Sequence, residues 1–177
     1  HYDQEHNLTG ITDASGAAVA RNEYDKDGRL TAIIDGEGNR TEYAYDIQGK
    51  TQVIKDRLGN STVYVYDDRG NILQQTDANG NTTKNTYDDN GNLLTKTDAR
   101  GNTTQYAYDG SGNITSVTDA RGNTLKHTYN ERNLITAMKS GEEEILIDYD
   151  EAGNIEETTD PAGNKTSYEH DKNGNVT

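Results

Sequence analysis

Apolar positions along this chain follow the period of a strand, not of a helix. They come in short alternating runs, each closed off by a polar turn. Residues 87–108 show the pattern most clearly. Tyr87-Asp88-Asp89-Asn90-Gly91-Asn92 reads as a turn and Leu93-Leu94-Thr95-Lys96-Thr97 as a strand. Asp98-Ala99-Arg100-Gly101-Asn102 is a second turn, and Thr103-Thr104-Gln105-Tyr106-Ala107-Tyr108 a second strand. Asp accepts local backbone hydrogen bonds, and Gly and Asn tolerate positive φ, so both turns carry the chemistry a tight reversal requires. The strands are rich in Thr, Tyr, Val and Ile, which suit a pleated surface. Short strands joined by Gly-containing loops predict β-hairpins, and no window has a helical period.

Alternation puts Tyr106 and Tyr108 on one side of their strand and Ala107 on the other. The same pairing recurs at Tyr43/Tyr45 and Tyr64/Tyr66, and in weaker form at Asn85/Tyr87, His127/Tyr129, Ile147/Tyr149 and Tyr168/His170. An aliphatic follows each first turn: Leu30, Ile72, Leu93, Ile114, Leu134, Ile155 and Val176, with Thr51 the exception. The whole pattern repeats about every 21 residues, which marks an array of like units. The expected fold is therefore all-β: tandem antiparallel hairpins forming one curved or spiralling sheet. Eight units of two strands give about 16 strands, roughly 75 Å across at the usual inter-strand spacing. The Tyr24, Tyr45, Tyr66, Tyr87, Tyr108, Tyr129 and Tyr149 rings are expected to form its structural core, in ladders on the concave face. Gly38, Gly59, Gly80, Gly101, Gly122 and Gly163 are expected to be structural turn residues. A fully buried ring at Tyr87 would lose about 3–5 kcal/mol on truncation to alanine.

The array is expected to fill residues 1–177 as a piece of a longer one. Residues 1–23 read as a degraded repeat. Residues 130–148 read as an irregular one: Tyr129-Asn130-Glu131-Arg132-Asn133 lacks a turn residue and the usual Gly, and Ser140-Gly141-Glu142-Glu143-Glu144 replaces a regular turn.

Composition sharpens this picture. Only 29% of the 177 residues are hydrophobic, and Phe, Trp and Cys are absent. A compact globule would hold nearly half apolar residues. Low hydrophobicity with a net charge of −14 is also the mark of a disordered chain, but disorder does not phase tyrosines. A quasi-one-dimensional array, whose units lean on their neighbours, satisfies both facts. The excess of 31 acidic over 17 basic residues argues against nucleic acid and against an anionic membrane as partners.

Catalysis finds no support. A repeat gives its carboxylates identical environments, whereas an acid/base pair needs two different ones. His1, His6, His127 and His170 are too scattered for a metal triad, and the last two occupy tyrosine positions as ring substitutes. Calcium is a rival reading for loops such as Asp77-Ala78-Asn79-Gly80-Asn81, Asp88-Asp89-Asn90-Gly91-Asn92 and Asp171-Lys172-Asn173-Gly174-Asn175, but these are short and no bidentate Glu follows. No cofactor is expected. Exposed sheet edges would favour edge-to-edge self-association.

The serial motif Tyr-Asp-x-x-Gly-Asn-Leu, then Thr-Asp-Ala-x-Gly-Asn-Thr-Thr-x-Tyr, resembles the Rhs repeat, also called the YD repeat, over the whole chain except near residues 10–20 and 137–145. The resemblance implies a sheet that spirals into a hollow shell, as in bacterial wall-associated and polymorphic-toxin proteins and, more distantly, teneurins. It implies a secreted or cell-surface, non-catalytic wall segment whose partners are neighbouring repeats and an enclosed toxin or other cargo domain. A carbohydrate or cell-wall-binding surface is the alternative, with a glycan as candidate partner, and a calcium-stabilised adhesion repeat a second. Asp160-Pro161-Ala162-Gly163 resembles the start of the family's self-cleavage motif, but Asn164 departs from it, and the segment sits where each repeat has a turn.

Overall fold

A computed structural model describes all of residues 1–177. It contains strands and turns and no helix. The strands are β1 (Gly10–Thr12), β2 (Ala18–Tyr24), β3 (Leu30–Asp35), β4 (Arg40–Asp46), β5 (Thr51–Lys55), β6 (Ser61–Tyr66), β7 (Ile72–Thr76) and β8 (Thr82–Tyr87). They continue as β9 (Leu93–Thr97), β10 (Thr103–Tyr108), β11 (Ile114–Thr118), β12 (Thr124–Tyr129), β13 (Ile135–Ser140), β14 (Glu143–Tyr149), β15 (Ile155–Thr159) and β16 (Lys165–Ser167). All sixteen are hydrogen-bonded in sequence order as one open sheet, the arrangement tandem hairpins demand. The chain divides into two compact units, His1–Asn85 and Thr86–Thr177.

Neither unit has a second layer. A compact globule of this mass exposes about 8,500 Å², whereas this chain exposes 12260 Å². Only Ala32, at 0% exposure, and Ile147, at 9%, are buried apolar residues. The repeated tyrosines are not enclosed: most are half-buried, and Tyr45 is 37% exposed. The close ring pairs run along single strands, Tyr64 with Tyr66 at 6.4 Å and His127 with Tyr129 at 6.3 Å. A single sheet has nothing to lay over its faces, so stability must come from the backbone ladder and from ties between adjacent hairpins.

Register separates the two faces. In the second unit Tyr106 opposes Val117, and Val117 opposes Leu125. His127 opposes Met138, which opposes Ile145. The other face is polar, with Thr97 opposite Thr103, Thr118 opposite Thr124, and Glu157 opposite Ser167. Threonine hydroxyls pair across strands on that face, at 2.8 Å for Thr97–Thr103 and 2.9 Å for Thr118–Thr124.

Candidate functional site

Two small devices recur along the chain, one at the turns and one where the repeated tyrosine ends its strand. The turn device is a five-residue loop. In Asp98–Asn102 the Gly101 N–H donates to the Asp98 carbonyl at 3.0 Å, and the Asp98 N–H to the Asn102 carbonyl at 2.9 Å. Asp98 Oδ1 accepts the N–H groups of Arg100 and Asn102, and Oδ2 accepts Asn102 Nδ2 at 2.8 Å. Gly101 sits at φ 87°, a left-handed conformation that a Cβ disfavours. Gly38, Gly59, Gly80, Gly122 and Gly163 occupy the same loop position at φ 84–88°. This is a type I turn closed by a left-handed residue, a standard three-residue hairpin connection.

The bonds hold the loop carboxyls below the usual aspartate value. In Asp77, Asp88, Asp98 and Asp109 the Asn side-chain amide is the largest cause, followed by the Asn backbone N–H. Both oxygens of each such carboxylate are already engaged within the loop. A calcium ion would have to compete with these loop bonds for the same carboxylate oxygens. Asp160 forms the same loop, accepting from Ala162 N, Asn164 N and Asn164 Nδ2.

Loops also occur where the sequence hid them. Asp3 accepts from the N–H groups of Glu5 and Asn7 and from Asn7 Nδ2, with His6 at φ 68° in the glycine position. Asp13 accepts from Ser15 and Ala17. The segment read as degraded thus keeps its turns, and the Asp-x-x-x-Asn spacing of residues 3–7 was the available signal. The loop after Tyr129 is full length, not one residue short. Asn130 Oδ1 accepts the N–H groups of Arg132 and Leu134, and Asn133 takes the glycine conformation at φ 60°. Leu134 therefore fills the Asn position, and Ile135, not Leu134, is the aliphatic that opposes Tyr129.

The second device lies at that opposition. A bulge just before the repeated tyrosine brings it level with the next unit's aliphatic: Tyr24 with Leu30, Tyr66 with Ile72, Tyr108 with Ile114, Tyr129 with Ile135, Tyr149 with Ile155. The tyrosine hydroxyl meanwhile reaches back. Tyr108 donates to the Leu93 carbonyl at 3.0 Å, Tyr129 to that of Ile114 at 2.9 Å, and Tyr149 to that of Ile135 at 2.8 Å. Tyr24 does the same to Leu8. Ile114 and Ile135 thus each oppose one tyrosine and accept from the next. The result is a continuous chain of ties from Leu93 to Ile155. Burial, then Tyr106 and Asp88, pushes the Tyr108 phenol up despite the Leu93 contact.

The residue two before the tyrosine often joins in. Asn22 Nδ2 reaches the Leu8 carbonyl, Asn85 Nδ2 that of Ile72, and His127 Nδ1 that of Ile114 at 3.1 Å. A carbonyl only accepts, so His127 carries its proton on Nδ1. The sequence suggested that His127 merely replaces a ring. It does lie edge-on to Tyr129, but it also shares that tyrosine's acceptor.

The Thr51 exception has a structural cause. Gly49 keeps the usual spacing after Asp46, but the left-handed conformation moves one residue on, to Lys50 at φ 50°. A Cβ on Gly49 would lie 2.3 Å from Asp46 Oδ2. The bulge is then lost, Tyr45 opposes Gln52, and the Lys50 carbonyl accepts the Tyr66 N–H. The Tyr66 hydroxyl goes instead to Gln52 Oε1 at 2.8 Å. Tyr45, Tyr66, Ile47, Lys50, Gln52 and Asp68 border an open concavity of about 460 Å³ at this irregular joint.

The family described as RHS Repeat matches residues 24–52, 48–82, 87–124, 108–144 and 149–177. No curated protein matches the chain. Among solved structures, the chain is similar to the Photorhabdus luminescens Tc holotoxin pore with a mutant TccC3, at 12% identity and TM-score 0.45, over 100% of this chain and 17% of that one. It is similar to the TcdB2-TccC3-Cdc42 structure at 14% identity and TM-score 0.41, over 99% of this chain and 15% of that one. A porin-like protein from Bacteroides uniformis gives 14% identity and TM-score 0.39, over 95% and 85%. The chain spans less than a fifth of the length of the two toxin structures.

Proposed function

Because the chain belongs to the RHS repeat family, we propose that it is a non-catalytic wall segment of a larger secreted or surface protein, enclosing a toxin or other cargo domain. Supporting this reading is the chain of ties from Leu93 to Ile155, which joins successive hairpins at one repeated point. A wall needs continuity from unit to unit and little chemistry within a unit. Tyr24, Tyr45, Tyr66, Tyr87, Tyr108, Tyr129 and Tyr149 would be its structural residues, and the loop glycines would set its turns. Residues 1–177 would form one repeat array, with neighbouring repeats and cargo as partners. The acidic loops would keep its rims soluble and disfavour edge-to-edge association.

The test is limited proteolysis of the parent protein. Its cargo should survive while the wall is intact and be digested when Tyr108→Ala and Tyr149→Ala loosen it. Cargo cleaved equally fast in both proteins would refute enclosure. The concavity between Tyr45 and Tyr66 favours a second reading, a sugar-binding patch, since aromatic faces and a Lys–Asp–Gln border suit a saccharide. Titrating cell-wall oligosaccharides against the chain by NMR should then shift Tyr45 and Tyr66 resonances saturably; unchanged spectra would eliminate that patch.

A further inference from the structure

The irregular hairpin of β13 and β14 holds a feature the repeat does not explain. Its strands are joined by a two-residue turn, Gly141-Glu142, between the paired Ser140 and Glu143. The adjacent connection is the five-residue Asp119–Asn123 loop. Beside the shorter turn lies a recess of about 510 Å³, bordered by Gly122, Asn123, Thr124, Gly141 and two lysines. Those lysines, Lys126 of β12 and Lys139 of β13, are direct cross-strand partners.

Like charges placed opposite each other destabilise a sheet, and this chain has acids to spare. Other strand cations are either matched, as Arg40 is with Glu23 at 2.8 Å and Glu42 at 3.1 Å and Lys165 with Glu157 at 2.5 Å, or, like Lys84 and Lys96, stand opposite the neutral side chains of Gln74 and Thr104; only Lys126 and Lys139 oppose one another. Lys126 faces Ser116 on its other side. Lys139 faces Glu144, yet neither ammonium has a carboxylate within ion-pair distance. The carboxylate nearest in sequence on the bordering loop, Asp119, is held by its own loop, chiefly by the Asn123 side chain. Two lysines without a carboxylate partner thus oppose one another on adjacent strands and both border the recess, with main chain of two glycines at its edge.

We propose that Lys126 and Lys139 form a clip for a phosphate-class oxyanion, with Glu144 as the internal competitor for Lys139. A single dianion between the two ammonium groups removes the repulsion that their opposition creates. The glycine edges leave room for the group to approach the backbone.

The test is a ¹H–¹⁵N NMR titration of the whole chain with inorganic phosphate at constant ionic strength, with chloride as control. Saturable shifts at Gly122, Lys126, Lys139 and Gly141 are expected, with Kd of about 1 mM. Lys126→Gln and Lys139→Gln should each weaken binding about tenfold, and Glu144→Gln should tighten it. Because each lysine substitution relieves repulsion, both variants should melt no lower than the parent, which keeps the result free of unfolding. Non-saturating shifts that chloride reproduces, or undiminished binding in Lys126→Gln, would overturn the proposal. Glycerol phosphate and glucuronate in parallel separate phosphate from carboxylate; a preference for glucuronate would overturn the phosphate assignment.

Discussion

Removing one hydroxyl at Tyr108 tests the tie directly. In Tyr108→Phe the ring stays and only the 3.0 Å bond to the Leu93 carbonyl is lost. A neutral hydrogen bond contributes about 0.5–1.5 kcal/mol net, and Leu93 is only half-buried, so water can partly replace the donor. The expected loss is about 1 kcal/mol, or about 2–4 °C in Tm for a chain of this size. Tyr129→Phe is the internal control. It removes an equally short bond, but the Ile114 carbonyl keeps His127 Nδ1 at 3.1 Å. Its cost should be only about 0.3 kcal/mol, below the usual range for a bond left unmade. Combining it with His127→Ala should cost more than the two single changes together, because the last donor is then gone. Urea unfolding followed by circular dichroism gives all four values. Equal losses for Tyr108→Phe and Tyr129→Phe would refute the shared-acceptor argument. A loss of about 3 kcal/mol in Tyr108→Phe would refute the premise that water replaces the donor at the Leu93 carbonyl.

Other expectations follow from the loops. Gly101→Ala places a Cβ at φ 87° and should destabilise by about 1–2 kcal/mol, read by the same unfolding curves; an unchanged midpoint would contradict the turn assignment. The loop aspartates have folded pKa values below their ordinary 3.8, so their contribution is present above that value and is lost as pH falls through the lower folded values. Melting temperature should be level from neutral pH down to about pH 4.5 and drop below about pH 4, and a chain equally stable at pH 2 would refute this. Millimolar calcium, set against chelator, should leave Tm unmoved because the loop oxygens are engaged; a clear rise would reopen the ion reading. Nitrogen-15 shifts of His127 at high pH should show the proton on Nδ1, and the Nε2–H tautomer would contradict the Ile114 contact.

The hairpins were legible in the sequence because turn chemistry is local. Asp98, Gly101 and Asn102 declare their loop within five residues, and the strands between follow by alternation. Legibility failed where one residue stood in for another. Asn133 and His6 adopt the glycine conformation, so their loops looked broken, and counting Leu134 as the aliphatic displaced Ile135. The ties were not legible at all. Their acceptors are main-chain carbonyls of Leu93, Ile114 and Ile135, which leave no side-chain signature, and the bulge that frees them belongs to pairing between units. The phased tyrosines were visible, but phase alone does not distinguish a ring buried under a second layer from a half-exposed ring whose hydroxyl binds a neighbour.

The ties also give the sheet a direction. Each tied aliphatic carbonyl, Leu93, Ile114 and Ile135, is satisfied by the tyrosine of the strand after it. Peeling strands from the carboxyl side therefore strips donors from what remains, while peeling from the amino side leaves every later carbonyl served. Under force applied at one end or the other, the second unit should unravel like a ratchet, holding more firmly at its trailing end than at its leading one.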